Sequence, residues 1–186
     1  MPLRHAVMAA LLEGEASGYD LAKGFDATVS NFWTATPQQL YRELDRMERE
    51  GLVRARVVRQ RRRPDKRLFS LTESGRRAVR EHLAEPLDRP GAIRDGLLVK
   101  VQSCDAGDLD AVRADIEARM RWSRAKLDHY ARLRERLLEG RDEAEHLAHA
   151  ERVGPYLTLL RGIAFEEGNL DWGAMALRVL EARARR

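Results

Sequence analysis

Apolar residues recur at helical spacing along most of the chain and switch to alternation only once. Leu3, Val7, Ala10 and Leu11 share one face of a first helix over residues 2–13, which the segment 14–17 interrupts. Ser17 caps a second helix, 18–29, with Tyr19, Leu21, Ala22 and Phe25 as the expected inward positions. Phe32 and Trp33 follow in a short connection, where adjacent aromatics in a small domain read as core. Leu40, Leu44 and Met47 then fall at i, i+4 and i+7 and predict a helix over 37–50 with one apolar stripe. Its opposite face carries Gln38, Arg42, Asp45, Arg46 and Arg49, flanked by Gln39 and Tyr41. Thr36 suits the N-cap, Pro37 the first helical position and Gln39 the far end of a capping box, while Gly51 suits the residue that stops the helix. Here the period changes. Val53, Ala55 and Val57 alternate with Arg54 and Arg56, which predicts a half-buried strand with its valines and alanine inward. Residues 61–67 make a basic turn, and Phe69 and Leu71 return on the inward face of a second strand. Thr72 caps a fourth helix, 73–83.

The second half keeps to the helical period. After a boundary marked by Pro86, Pro90 and Gly91, residues 93–101 form a short apolar segment, interrupted near 103–107. From 108 to 139, Leu109, Val112, Ile116, Met120, Leu127, Tyr130, Leu133 and Leu137 lie close to a heptad seam, broken at Ser123 where an apolar residue would be expected. Residues 140–145 read as a polar break. A last helix over 153–183 carries Leu157, Leu160, Ile163, Ala164, Trp172, Met175 and Leu180. The expected fold class is mostly α: a first domain with a small β-hairpin over 1–85, a linker with a short helix over 86–107, and an all-α domain over 108–186.

Charge sharpens this picture. Of the 34 Lys+Arg and 30 Asp+Glu, residues 1–85 hold 16 and 12, and residues 86–186 hold 18 of each, so the whole excess of +4 lies in the first part. Eight basic residues against the single Asp65 fall within 54–67. A charge run is usually a solvated face, but a polar capped helix followed by a basic hairpin is what a winged helix-turn-helix needs, one to enter a groove and the other to grip phosphate. Cys104 is the only cysteine, so no internal disulfide forms, and no apolar stretch has the length of a membrane span. These features point to a cytoplasmic protein without membrane contact.

Six short motifs then carry a family likeness. Ser17-Gly18-Tyr19-Asp20-Leu21, Phe32-Trp33, Gln39-Leu40-Tyr41 with Leu44, Glu50-Gly51-Leu52-Val53, Arg63-Pro64-Asp65-Lys66, and Leu71-Thr72 with Gly75 resemble the PadR family of bacterial transcriptional regulators in order and spacing. The segment from Gly162 to Glu167, with Trp172, resembles the C-terminal helical domain of the longer, virulence-activator-like branch. The resemblance implies a winged-helix DNA-binding domain with a small β-hairpin wing, an all-α dimerisation domain, and a homodimer that represses or activates transcription. Some members release DNA on binding a small aromatic or drug-like effector.

The residues expected to act follow from both readings. Gln38, Gln39, Tyr41, Arg42 and Arg46 face a major groove of double-stranded DNA, and Arg61, Arg62, Arg63 and Lys66 grip the backbone or an adjacent minor groove, so that a dimer reads an inverted repeat. Leu109, Val112, Ile116, Met120, Leu127, Leu133, Leu160 and Ile163 are expected to hold the dimer. Trp122, Tyr130, Arg161 and Trp172, with His129 nearby, could line an effector pocket, against the alternative that they simply pack. No enzyme is expected: His146-x-x-His149 lacks a supporting ligand cluster for a metal, His5, His82 and His129 are isolated, and no nucleophile elbow, phosphate loop or cofactor fingerprint occurs. No cofactor is expected either. The competing reading is a winged-helix module that binds another protein; seven excess positive charges in 54–67 argue against it.

Overall fold

A computed structural model describes residues 3–24, 35–59, 65–86 and 94–184. The chain divides into two compact units, Met1–Pro90 and Gly91–Arg186.

The first unit runs α1 (Leu3–Leu11), β1 (Ala16–Ser17), α2 (Gly18–Gly24), α3 (Pro37–Arg49), β2 (Val53–Val58), β3 (Lys66–Leu71) and α4 (Glu73–Ala84). Its three strands are antiparallel in the order β1-β3-β2, with Ser17 opposite Leu68 and Ala55 opposite Phe69. The start and stop of α3 are written in adjacent residues. The Thr36 hydroxyl accepts from the Gln39 N–H and the Gln39 carbonyl oxygen accepts from the Thr36 N–H, at 3.2 and 2.9 Å. At the other end Gly51 stands at φ 73°, its N–H donating to Glu48 O and that of Leu52 to Met47 O, the paired bonds of a Schellman stop. Thr72 then ties α4 to this corner: its hydroxyl donates to Gly51 O at 2.6 Å and accepts from the Gly75 N–H at 3.1 Å. Ala6, Val7, Met8 and Leu11 of α1, Leu40, Leu44 and Met47 of α3, and Val53, Phe69 and Leu71 of the sheet close one core. His5 and His82 stack outside it, centroids 3.7 Å apart and planes within 6°, joining α1 to α4.

Several expectations for this unit need correction. Tyr19, expected inward, is 67% exposed, because α2 turns Leu21 to the core instead. Val57 is 59% exposed: the hairpin runs on past the edge of the core, and only Val53 of the alternating set is fully buried. Lys66 and Arg67, read as turn, already belong to β3, where they pair with Val58 and Val57. The third strand, β1, was not foreseen. Phe25, Phe32 and Trp33 lie outside the described residues, as do Arg61, Arg62 and Arg63.

The second unit comprises α5 (Gly96–Gln102), a 3₁₀ turn at Cys104–Ala106, α6 (Leu109–Leu138), α7 (Glu143–His149) and α8 (Gly154–Ala184). Asp95 caps α5 by accepting from the Leu97 N–H, and also takes both arms of the Arg119 guanidinium at 2.8 and 3.0 Å, which straps α5 to α6. That guanidinium holds the Asp95 carboxyl below the usual range. Leu97, Val112, Ile116, Met120, Ala176 and Leu180 form one cluster, and Tyr130, Leu133 and Leu159 another. Between them along α6 sits Ser123, the gap in the seam. It is wholly buried and donates at 2.7 Å to Glu166 of α8, itself 1% exposed. Lys126 at 3.4 Å and Asn169 at 3.1 Å also reach this carboxylate. Gly173 lies against Met120, where an added Cβ would meet the methionine Cγ at 2.7 Å. The segment read as a polar break is partly the helix α7, capped by Asp142.

Candidate nucleic-acid interface

The face of α3 opposite Leu40, Leu44 and Met47 is exposed, as its period requires. Along it lies an open depression of about 660 Å³ lined by Leu3, Ala35, Gln39, Arg42, Glu43, Asp45, Arg46 and Arg49. Arg42 is exposed and has no hydrogen-bond or ion-pair partner among the described residues, so its guanidinium keeps all its donors for a ligand. Gln38 is exposed beside it. The remaining candidates are partly committed within the protein. Gln39 gives its carbonyl oxygen to the capping box. Arg46 donates to Glu50 at 2.8 Å, which raises the guanidinium pKa and lowers that of the carboxyl. Tyr41 lies over Gly18, where a Cβ would come within 2.2 Å of its ring, so a side chain at position 18 would have to displace that ring. Lys66 pairs with Asp20 at 2.8 Å, and that bond, with the Ser17 hydroxyl, pulls the Asp20 carboxyl below its usual range.

Two arginines that the sequence did not single out flank this face. Arg4 of α1 reaches Glu43 at 3.3 Å and Glu50 at 3.0 Å. Arg67 of β3 reaches Asp45 at 3.1 Å and Glu48 at 2.5 Å, with its guanidinium carbon 5.0 Å from the centroid of the Phe69 ring. In the sequence Arg4 was marked only by its place on the first helix, and Arg67 only as one charge of the basic turn, although it shares the strand phase of Phe69 and Leu71.

Of the four effector candidates in the helical unit, Trp122 and Tyr130 share one cation, the Lys126 ammonium, which stands 5.9 Å from the Tyr130 ring centroid. Tyr130 is buried in the cluster with Leu133 and Leu159, and burial pushes its hydroxyl up to about 12. Trp172 packs on the other cluster. Trp122 is 55% exposed, with the Lys126 ammonium 4.4 Å from its ring centroid, and Arg161 lies over Phe165. Of the dimerisation candidates, Val112, Ile116, Met120 and Leu133 are closed inside the chain, where they hold α6 and α8 together; Leu109, Leu127, Leu160 and Ile163 are half-buried. The large apolar side chains that α8 leaves exposed are Leu157, Phe165, Met175 and Val179.

The model of the transcriptional regulator PadR-like family matches residues 7–81, and that of the virulence activator alpha C-term matches residues 93–181. The chain belongs to the PadR-like family of transcriptional regulators. Within it, the probable transcriptional regulator Rv1176c of Mycobacterium tuberculosis is 38% identical over 182 residues, covering 92% of this chain and 94% of that one. The crystal structure of Bacillus subtilis PadR in complex with operator DNA superposes with a TM-score of 0.77 at 24% identity, covering 96% of this chain and 98% of the other. The same Bacillus protein with p-coumaric acid gives 0.70 at 23% identity, covering 96% and 95%. This PadR-family chain is thus a DNA-binding regulator of the winged-helix type, mostly helical, with a three-stranded antiparallel sheet. None of its described helices is long and apolar enough to cross a membrane.

Proposed function

We propose that this PadR-family regulator binds an inverted-repeat operator as a homodimer, with the first unit on DNA and the helical unit joining two copies. The observation that carries the reading is Arg42, a guanidinium without a partner among the described residues, at the centre of a capped, exposed helix face beside an antiparallel hairpin. An arginine so placed suits the O6 and N7 edge of guanine, and Gln38 suits adenine. Arg46 serves phosphate or a base edge at the cost of its pair with Glu50, and Tyr41 lines the edge of the groove. Arg61, Arg62, Arg63 and Lys66 hold the backbone. For the dimer, Leu157, Phe165, Met175 and Val179 supply the apolar surface that a second copy would cover. Half-site centres would then stand about 34–36 Å apart, or a multiple of that.

The experiment is a titration of wild type, Arg42→Ala and Arg63→Ala against an operator selected by in vitro enrichment and a scrambled duplex, at several salt concentrations. Arg42→Ala should cost about 1–3 kcal/mol on the operator and relax preference at one base per half-site. Arg63→Ala should weaken both duplexes alike and lower the salt slope by about one. The reverse pattern overturns the assignment of roles. An aromatic carboxylate effector finds its support in the Bacillus relative crystallised with p-coumaric acid. On this chain the exposed Trp122 with the Lys126 ammonium over its ring offers the matching chemistry, a flat face beside a cation. Saturable quenching of tryptophan fluorescence by p-coumarate, with an equal coupling factor on operator affinity, tests it.

A further inference from the structure

The helix assigned to the groove is, taken alone, acidic. From Pro37 to its cap at Glu50 it holds Arg42, Arg46 and Arg49 against Glu43, Asp45, Glu48 and Glu50, a formal charge of −1. Such a helix should be repelled by a polyanion. Every one of the four carboxylates is, however, met by an arginine. Arg4 spans Glu43 and Glu50 from one side, and Arg67 spans Asp45 and Glu48 from the other. Counting these two, contributed by α1 and β3, the face carries +1.

We infer that Arg67 is a positioning residue for DNA binding: it neutralises Asp45 and Glu48 of α3 and so lets that helix approach the phosphate backbone, without itself supplying the contact. The inference rests on the DNA-binding reading of α3 given above. Three features of the geometry support it. Asp45 and Glu48 are three residues apart, so they lie one above the other on the helix surface, and a forked guanidinium spans both. The Arg67 side chain is held over the buried Phe69 ring, which fixes the fork against α3. Finally, these pairs are largely exposed, with side-chain accessibilities of 35–57%. Ion pairs in that setting add little to folding, so their effect is to be sought in the field that a ligand meets.

The test is a double-mutant cycle read by fluorescence anisotropy with a labelled random-sequence 30-base-pair duplex at low salt. Arg67→Ala should weaken binding about tenfold in the otherwise native protein, yet by no more than about twofold in an Asp45→Asn/Glu48→Gln background. The Asp45→Asn/Glu48→Gln pair alone, which keeps Arg67 and its stacking intact, should bind more tightly than wild type. Thermal melting accompanies each variant; should Arg67→Ala fail to fold, that pair still decides, and unchanged or weaker binding by it overturns the inference. Equal losses from Arg67→Ala in both backgrounds would make Arg67 a direct phosphate contact and also overturn it. A wild-type protein that leaves the duplex free even at low salt fails the DNA-binding reading itself, and the inference goes with it.

Discussion

At the scale of single residues, the most consequential group outside the exposed α3 face is Glu166. A carboxylate this deeply buried is tolerated because Ser123, Lys126 and Asn169 all reach it. Removing it leaves a buried hydroxyl, an amide and a cation without their acceptor, so Glu166→Ala should cost about 3–5 kcal/mol in urea unfolding of the helical unit. Ser123→Ala should cost about 1–3 kcal/mol, since the carboxylate keeps its other partners. If both cost under half a kilocalorie per mole, roughly the level of a surface change, the cluster does not hold these helices. The stacked histidines of the first unit make a second residue-scale prediction. Burial, then the facing His82, lowers the pKa of His5 below 6.5; Arg4 and the N-terminus act in the same sense, and Glu85 opposes them. The folded state therefore binds fewer protons than the unfolded chain as pH falls through 6.5. The contribution of His5 is complete above that value and is lost progressively below it, down to the folded pKa. His82→Phe keeps a ring in the stack and removes one charge, so its denaturation midpoint should fall less between about pH 7 and 5 than that of wild type.

At the scale of elements, the caps of α3 were legible because every group they use lies within a few residues of the helix end: Thr36, Pro37 and Gln39 before it, Glu50 and Gly51 after. The apolar stripes were legible for the same local reason. What escaped depends on partners far away in the chain. β1 is two residues long, too short to alternate, and exists because Ala16 and Ser17 pair with Phe69 and Leu68. The break at Ser123 was visible as a gap in the seam, but the acid that fills it is 43 residues away. Arg67 was visible as charge, though its two acids on α3 were not. The corner where α3, β2 and α4 meet yields a ranking of two glycines. A Cβ at Gly75 would stand 2.1 Å from the Leu52 carbonyl oxygen, a backbone atom that cannot swing aside. Gly75→Ala should therefore cost about 2–3 kcal/mol or more. Gly51 has open space around it and needs only its left-handed φ, so Gly51→Ala should cost about 1–2 kcal/mol. Urea midpoints of the two variants check the order, and a Gly51 variant that is the weaker of the pair would count against this account of the corner.

At the scale of the whole molecule, the distinction between core and exposed apolar residues turns the dimer proposal into a contrast. Leu133→Glu places a charge inside the helical unit and should lower its stability by several kcal/mol. Phe165→Glu and Val179→Glu change exposed positions and should leave stability within about half a kcal/mol per protomer while shifting sedimentation towards a single copy. If both surface variants sediment with wild type, the second copy does not sit on this face. In the first unit the sheet order itself has a consequence for how DNA is read. β3 lies between two neighbours, β2 along its length and β1 at Leu68 and Phe69. On its inner side it is paired to Ser17, the residue whose hydroxyl also accepts from the Asp20 N–H as α2 begins. The next residue, Gly18, carries the Tyr41 ring of α3 against its backbone. If the hairpin holds a phosphate as proposed, a tug on it would be passed along this short linkage to α3. On the proposed reading, gripping the backbone and presenting Arg42 would be a single mechanical act.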